Sequence, residues 1–517
     1  MAFQHLSEND LASCARVNRF ISEHALDLLY SNSPYLTEFL KILAPMEHLV
    51  DYSNASLILR FVRPLTPTDW DRFRHYSPRV RRLSEEYFSG IDDLSRESML
   101  DLISTIPAGE AIFPFLHTLE WQSATNLTRP FVTSLLCHAT IVNVEFSTAT
   151  DDFECGAFLE HLVRRCPNIE SLGFWPGPSW YDQIEVDFHS AIQSLPRLHT
   201  LDTCDTLVTP EVLKELSHRP HFLNLWSCAF RAEDIPVHGS SEQMLDHQGA
   251  FPALSNVAGI CSRIMRLPKD VLEGPSLTHL NVYVVDESNI PDLLALVSAS
   301  CIKLRHFSLM TAPRSISHTA FTADTLKPLL ALQYIEVFVV DHTSIPPRIS
   351  DEDLDVFARS FPRLQHFELC PRAEGEPQIQ SPTLASLIPF AQHCRRLISI
   401  GIYMDASIPP PALPHEYHSF SCSFQTMNVL CSRIDEPSVV VDFLIALFPL
   451  QATIQITRGP LQVRYLRGDY TGFPPPDSDH DLGITSIIYR DEWRRANTIL
   501  SGLSRTRETL IAHRRDI

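Results

Sequence analysis

One short sequence phrase recurs along most of this 517-residue chain. It has the form Pro-x-Φ-x-x-Φ-x-Φ, in which Φ is an apolar residue. Clear copies begin at Pro78, Pro114, Pro167, Pro196, Pro220, Pro252, Pro275 and Pro362. Weaker copies that lack the proline lie at Ile302–Leu309, Leu332–Val337, Arg395–Ile402 and Phe424–Leu430. A unit this short cannot bury its own apolar face, so the copies must stack on one another.

The stretch Ser350–Cys370 indicates what one copy folds into. Ser350 is a good N-cap residue, and the three acidic residues after it suit the positive end of a helix dipole. Apolar residues then recur at helical spacing, at Leu354, Phe357, Ala358 and Phe361. Pro362 ends the helix, and Leu364–Leu369 is expected to form a short strand. Since the unit recurs roughly every 23–36 residues, it predicts an α/β fold, a right-handed leucine-rich-repeat solenoid (horseshoe) over residues 46–456.

The phase of each predicted strand assigns its side chains to two faces of a sheet. We call the central apolar residue of each copy the landmark. The residues before the landmarks can all form hydrogen bonds: Thr118, Asn143, Ser171, Thr200, Asn224, Asn256, His279, His306, Tyr334, His366, Ser399 and Asn428. The residues after the landmarks include Glu120, Glu145, Asp202, Asn281, Glu336 and Glu368. Both columns are expected on the concave side of the solenoid, facing solvent.

Aromatic residues among these carboxylates are candidates for binding a target protein. The candidate set is Trp175, Trp226, Tyr283, Phe338, Tyr403, Glu336, Glu368 and His366. Exposed aromatic residues often dominate protein interfaces, and a column of carboxylates favours a partner with a basic segment. The alternative interpretation is that the polar columns are only the hydrated face of the sheet and that the aromatic residues fold over the repeat edges.

The first 45 residues carry two helical patterns and no copy of the repeat. Leu11, Cys14 or Ala15, and Val17 or Asn18 lie on one side of the first pattern, and the second covers Glu23–Tyr30. One interpretation is an N-terminal cap that shields the first repeat, as solenoids require.

The residues of this segment support a second interpretation. Residues 5–32, HLSENDLASCARVNRFISEHALDLLYSN, resemble the second and third helices of an F-box. The shared landmarks are a Leu-Ser-x-x-Asp-Leu turn, a Cys-Ala-x-Val-x-Arg helix and an Ala-Leu-x-x-Leu-aromatic ending. The family's first helix is expected to be missing, because only Met1–His5 stands before Leu6. Ile21 and Tyr30 occupy the family's usual tryptophan positions.

The resemblance implies docking to the Skp-type adaptor of a cullin–RING ubiquitin ligase. The residues that match the family's apolar landmarks are Leu6, Leu11, Val17, Leu29 and Tyr30. The repeats that follow are similar to the irregular leucine-rich repeats of the large fungal F-box families, in which a short F-box precedes repeats in this order.

Composition and motifs argue against several other classes of protein. Acidic residues outnumber basic ones by 62 to 42, and this formal net charge of −20 disfavours nucleic-acid binding. No stretch is long and apolar enough for a membrane span. The segments HEYH (415–418) and DSDHD (477–481) depart from zinc and calcium motifs, so we expect no metal and no cofactor. Scattered cysteines without a C-x-x-C pair, and a start unlike a signal peptide, favour a cytoplasmic or nuclear location.

The last segment, residues 457–517, is expected to hold an exposed loop and a capping helix. Apolar residues that would cover the end of the repeats are Trp493, Ala496, Ile499 or Leu500, Leu503, Leu510 and Ile511. The predicted organisation is therefore a partial F-box-like segment (1–45), a solenoid (46–456) and this C-terminal segment.

Three hypotheses follow for the function. The first is a substrate-recognition subunit of a Skp–cullin–F-box type ubiquitin ligase, which carries no catalytic residues itself and acts by bringing a target close. The second is a leucine-rich-repeat interaction scaffold unconnected to ubiquitin ligation. The third, a hydrolase with unrecognised residues, requires a cleft with a perturbed Cys, His or Asp.

Overall fold

The computed structural model describes most of the chain in segments. These segments are residues 6–33, 36–51, 56–85, 93–106, 111–122, 135–148, 154–177, 181–228, 251–267, 269–274, 276–311, 320–342, 345–373, 377, 380–413, 418–449, 451–455 and 489–503. The chain divides into two compact units, unit 1 (Met1–Phe222) and unit 2 (Leu223–Ile517). Each is an α/β repeat structure of the leucine-rich-repeat type, as the repeat phrase predicts.

Unit 1 alternates helices and strands. Its described helices are α1 Glu8–Cys14, α2 Arg19–Ser31, α3 Leu36–Leu43, α4 Asp69–Tyr76, α5 Arg96–Thr105, α6 Cys155–Arg165, α7 Tyr181–Gln193 and α8 Pro210–Ser217. Its strands are β1 Asn32–Ser33, β2 Met46–Asp51, β3 Ser56–Phe61, β4 Arg82–Glu85, β5 Asp93–Leu94, β6 Thr118–Gln122, β7 Asn143–Ser147, β8 Ser171–Trp175 and β9 Thr200–Cys204. Short 3-10 helices cover Ser77–Arg79 and Asp205–Leu207.

The main sheet of unit 1 follows the order of the repeats. Strands β1, β4, β6, β7, β8 and β9 lie side by side, and each neighbouring pair is parallel. A separate three-stranded sheet joins β2, β3 and β5, with β2 antiparallel to β3. Strands β2 and β3 of this second sheet precede β4 in the chain, and β5 follows it.

Unit 2 continues the same alternation of elements. Its described helices are α9 Cys261–Ile264, α10 Lys269–Leu272, α11 Ile290–Ser300, α12 Ala323–Leu326, α13 Asp351–Ser360, α14 Leu387–His393, α15 Pro437–Leu447 and α16 over residues 489–503. Its strands are β10 Asn224–Cys228, β11 Asn256–Ile260, β12 His279–Val284, β13 His306–Thr311, β14 Val337–Asp341, β15 His366–Leu369, β16 Ser399–Ile402, β17 Asp405–Ala406, β18 Thr426–Asn428, β19 Arg433–Ile434 and β20 Thr453–Gln455. Short 3-10 helices cover Glu287–Asn289, Lys327–Ala331 and Leu384–Ser386.

The strands of unit 2 are also parallel neighbours in chain order. The order runs β10, β11, β12, β13, β14, β15, β16, β18, β20, and a separate pair joins β17 to β19. Parallel neighbours need a crossover connection, and the helices between the strands supply it.

The repeat Ser350–Cys370 folds as its residues predict. Ser350 and Asp353 form a reciprocal capping box, and the Ser350 Oγ accepts the Asp353 N–H at 3.2 Å. Leu354, Phe357 and Ala358 are buried on the inner side of α13. The strand that follows begins at His366, two residues later than Leu364, because Leu364 belongs to the preceding turn.

Phenylalanine rings join the sheet to the helices in both units. In unit 1, Phe146 of β7 stacks on Phe158 of α6 with ring centroids 4.0 Å apart. In unit 2, Phe367 of β15 packs against Phe390 of α14 at 4.7 Å. Landmark residues therefore face the helices. We call the opposite face of the strands, which carries the residues before and after the landmarks, the open face.

The C-terminal helix α16 packs on the last repeats of unit 2. Trp493, Ala496 and Leu500 are buried, and the Trp493 Nε1–H donates to the Ser432 carbonyl at 2.8 Å. Of the residues predicted to cover the repeats, Ile499 and Leu503 instead face solvent, while Leu510 and Ile511 lie outside the described residues, as does the DSDHD segment. Among the described residues, no helix combines the length and apolarity that crossing a membrane demands.

The strand register confirms the predicted columns at all but two copies. Val337, not Tyr334, aligns with His306 and His366, so Phe338 is the landmark of β14. The prediction was wrong because Leu332-x-x-Ile335-x-Val337 and Ile335-x-x-Phe338-x-Val340 both fit the phrase, and no proline fixes the phase. In β18, Thr426 and not Asn428 aligns with Ser399, which makes Met427 the landmark.

Candidate functional site

The N-terminal segment forms two helices that contact each other. A capping box of Ser7 and Asp10 begins α1, and the Asn18 Oδ1 accepts the Ile21 N–H at 2.9 Å at the start of α2. Leu11 and Ala25 are buried in the pair. Since the chain turns at residues 15–17, Val17 lies between the two helices and not on the buried side of one longer helix.

Contacts later in unit 1 fix the position of α2. The Arg79 guanidinium donates to the carboxylates of Glu23 and Asp27 and, at 3.1 Å, to the Glu23 carbonyl. This pairing lowers the pKa of the Glu23 carboxyl. The Tyr30 ring lies edge-on to Phe39 and Tyr76, at 5.4 and 5.3 Å between centroids. The end of α2 is thereby held against the repeats.

The N-terminal segment also exposes large apolar residues. Phe20 is 73% exposed, Val17 65% and Leu6 37%. We call these three residues the N-terminal patch. The five predicted adaptor residues divide accordingly: Leu6 and Val17 are exposed, Leu29 and Tyr30 are half-buried, and Leu11 is buried. Phe20 was not predicted, because it matches no family landmark and only its neighbours in space reveal its exposure.

The open face of unit 1 carries acidic residues. One position of the register on the successive strands β6 to β9 is occupied by Glu120, Glu145, Gly173 and Asp202. We call this set the acidic row, although its third member is a glycine. Glu120 and Asp202 are buried, at 8% and 9% exposure, and Glu145 is half-buried. The register of the predicted carboxylate column is thus confirmed in unit 1, but the expected exposure to solvent is wrong for Glu120 and Asp202.

The predicted aromatic anchors differ in exposure. Trp226 and Tyr283 lie on the open face of unit 2 and are half-buried. The expected exposure of the other three is wrong: Trp175, Phe338 and Tyr403 are 3%, 0% and 1% exposed. Phe338 is a landmark that faces the helices, and the other two stand at or just beyond a strand end. Alternation fixes the face of a side chain but not its exposure, since long side chains cover one another.

The three predicted polar residues of unit 2 are also largely covered. Glu368 and His366 are 7% and 9% exposed, and the His366 Nδ1 is 2.7 Å from the Ser399 Oγ. Glu336 precedes β14 instead of lying in it; its side chain is 26% exposed and 3.7 Å from the Arg305 guanidinium.

Three histidines occupy the column before the landmarks in unit 2. The rings of His279 and His306 are 5.2 Å apart, and Val337 separates His306 from His366. Burial lowers the pKa of His306 to about 3, with further lowering from the other two histidines, and burial lowers that of His366 to about 4. Burial also lowers the pKa of His279. The charge of Glu336 opposes this shift, and the charge of Arg305 lowers the pKa further.

These pKa values make unit 2 less stable in mild acid. Between pH 6.5 and the folded-state values, the unfolded chain binds protons that the folded chain does not. Going from about pH 7.5 to about pH 5 should lower the free energy of unfolding by roughly 2 kcal/mol through His306 alone. Denaturant unfolding at both pH values measures this loss. His306→Gln should reduce the loss, whereas His418→Gln, at an exposed position, should not. An identical loss in both variants would contradict the assignment.

Three buried thiols of unit 2 are poor candidates for nucleophiles. Burial raises the pKa of Cys261 to about 11 and that of Cys301 and Cys394 to about 12. A thiolate is the reactive form of cysteine, so these groups are inert near neutral pH. In the part of the chain that the structure describes, no group of three or more His, Cys, Asp or Glu is placed to hold a metal ion.

Stacked strand–helix repeats with a polar open face define a fold of the leucine-rich-repeat type. No protein-family model matches the sequence, and no curated protein matches it significantly. Among solved structures, the chain is similar to the Rad7 and Elc1 complex of yeast, at 12% identity and a TM-score of 0.39, over 81% of this chain and 89% of that chain. It is also similar to LegL7, a leucine-rich-repeat-containing protein of Legionella pneumophila, at 13% identity and a TM-score of 0.27, over 52% and 85%. At these scores neither similarity carries an argument about function.

Proposed function

We propose that this chain is the substrate-recognition subunit of a Skp–cullin–F-box type ubiquitin ligase. Its N-terminal helices dock a Skp-type adaptor, and the open face of the repeats holds a target protein. The exposure of Val17 and Phe20 carries the proposal, because a helix pair that served only as a cap would bury its large apolar residues. The role requires no chemistry from this chain, and it belongs in the cytoplasm or nucleus, where cullin–RING ligases act.

The geometry of unit 1 suits this role. Arg79 and Tyr30 hold α2 against the repeats, so Phe20 near the start of this helix is presented in a fixed orientation. Burying an apolar side chain of this size contributes about 1.5–3 kcal/mol, so Val17 and Phe20 together can support a specific contact. A fixed adaptor contact then raises the effective concentration of the bound target near the conjugating enzyme.

Co-purification with a Skp-type adaptor tests the adaptor contact. Val17→Asp with Phe20→Asp should weaken binding by at least about 30-fold, the effect of losing a hot spot of 2 kcal/mol. Both residues are exposed, so the fold should change little. The matched control is Val186→Asp, which places the same charge at a 79% exposed position on α7. Binding that survives the double substitution would contradict the use of this patch.

The runner-up function is a leucine-rich-repeat scaffold whose N-terminal helices are a cap. The ring contacts of Tyr30 with Phe39 and Tyr76 favour it, since they place the end of α2 against the start of the repeats. Binding of a Skp-type adaptor by the wild-type chain distinguishes the two functions. A folded wild-type chain that captures no Skp-type adaptor would support the scaffold.

A further inference from the structure

We infer that Glu145, Gly173 and Asp202 form a slot that takes the basic side chain, arginine or lysine, of a target protein. This inference deepens the proposed function and rests on it, because it names the chemistry that the open face of unit 1 recognises. We call these three residues the basic-residue slot.

The central strand of the slot contributes no side chain of its own. Gly173 lies between Glu145 and Asp202 in the register of β7, β8 and β9. The two acidic residues are two strand spacings apart, about 10 Å between Cα atoms. A Cβ added at Gly173 would lie 3.0 Å from the Glu145 Cγ. The Glu145 side chain therefore leans over the glycine, toward the strand of Asp202.

Asp202 is the residue that indicates a missing cation. Its carboxyl group is on a side chain only 9% exposed, and its Oδ1 has no hydrogen-bond partner among the described residues. An unsatisfied buried carboxyl group destabilises a fold, and a bound ion is one of the partners that can satisfy it. Burial raises the pKa of Asp202 well above its usual range, and the charge of Glu145 raises it further. A cation placed between the two groups would relieve both effects.

The same row shows which cation fits. One strand before Glu145, Glu120 meets the Arg82 guanidinium at 2.6 Å. A guanidinium from the neighbouring strand thus already pairs with a carboxylate of the acidic row. A basic side chain is favoured over a metal ion, because no group of three or more acidic, His or Cys residues in the described part of the chain is placed to hold one. The net charge of −20 also steers basic segments toward the protein.

Short peptides test the slot without knowledge of the target. The probes are acetyl-Ala-Ala-Arg-Ala-Ala-amide, its lysine analogue and its uncharged citrulline analogue, titrated into the full chain and followed by saturation-transfer NMR. The arginine and lysine peptides should bind, and the citrulline peptide should bind at least about tenfold more weakly, as expected for the loss of an ion pair. Equal binding of the citrulline peptide would overturn the inference.

Substitutions then locate the binding. Asp202→Asn and Gly173→Ala, which adds a methyl group against Glu145, should each weaken arginine-peptide binding at least about fivefold. Glu185→Gln, an exposed position on α7, removes the same charge from unit 1 and should leave binding unchanged. An equal effect of Glu185→Gln would indicate non-specific attraction and overturn the slot.

A stability measurement separates a binding role from a structural one. If Asp202 is kept for binding, Asp202→Asn should leave the chain as stable as wild type or more stable. A large loss of stability would assign Asp202 a structural role instead. Adaptor co-purification should be unchanged in Asp202→Asn and Gly173→Ala, so failure of the slot is distinguishable from failure of the adaptor proposal.

Discussion

Replacing Phe338 with alanine is expected to lower the free energy of unfolding of unit 2 by about 3–5 kcal/mol. The Phe338 side chain is fully buried, and four other rings surround it. Its centroid is 5.3 Å from that of Phe367, 5.6 Å from Phe361, 5.9 Å from Phe357 and 6.1 Å from Phe307. The substitution leaves a cavity where strands β13, β14 and β15 meet helix α13.

Denaturant unfolding of unit 2 measures this effect. The matched control is Tyr334→Ala, four residues earlier, where the ring is 46% exposed and lies under Arg363 at 4.9 Å. The control should cost under about 1 kcal/mol, the worth of an exposed cation–π contact. The two substitutions also test the strand phase, because the phase predicted from sequence puts Phe338 on the open face. Equal, small effects would favour that phase over the observed one.

Replacing Arg372 with methionine is expected to cost unit 2 about 3–5 kcal/mol, because it leaves the Asp341 charge buried without its partner. The Asp341 and Arg372 side chains are 2% and 12% exposed, and the guanidinium donates to the Asp341 Oδ2. The loss of stability arises more from the buried, unpaired Asp341 carboxylate than from the lost attraction between Asp341 and Arg372. Thermal or denaturant unfolding of the single variant measures it.

Two further variants separate these contributions. Arg372→Met with Asp341→Leu removes both charges and should recover most of the lost stability. Arg359→Ala breaks the exposed pair with Asp355, in which the atoms are 2.8 Å apart, and should cost under about 1 kcal/mol. If the double variant were no more stable than the single one, the explanation by a stranded charge would be wrong.

The repeat phrase and its flanking residues predicted most of the fold because they show both the helical spacing and the strand alternation of apolar residues. At Ser350–Cys370 the helical spacing, the capping residue and the strand alternation agree, and the structure follows all three. At Leu332–Val340 two overlapping copies of the phrase compete, and local pattern cannot choose between them. The choice depends on a neighbouring ring, Phe307, which Phe338 meets only in space.

The candidate sites were harder to predict than the fold. The positions of Glu120, Glu145 and Asp202 follow from alternation, but the burial of Asp202 and the packing of Glu145 over Gly173 depend on neighbouring strands. In the N-terminal segment, the resemblance to the F-box identified Leu6 and Val17 as candidate adaptor-binding residues. It could not show that Arg79, over 50 residues later, anchors α2. Exposure is a property of packing between distant segments, which a sequence pattern does not contain.

The parallel register of unit 1 has a consequence for the sequence of a bound target. Neighbouring strands lie about 4.8 Å apart, whereas an extended chain advances about 3.3 Å per residue. Three target residues therefore cover the same distance as two repeats, about 10 Å. An extended segment that crosses the strands repeats its position relative to the acidic row at every third residue. The strand spacing therefore favours targets in which the recognised residues recur at every third position, one for every two repeats.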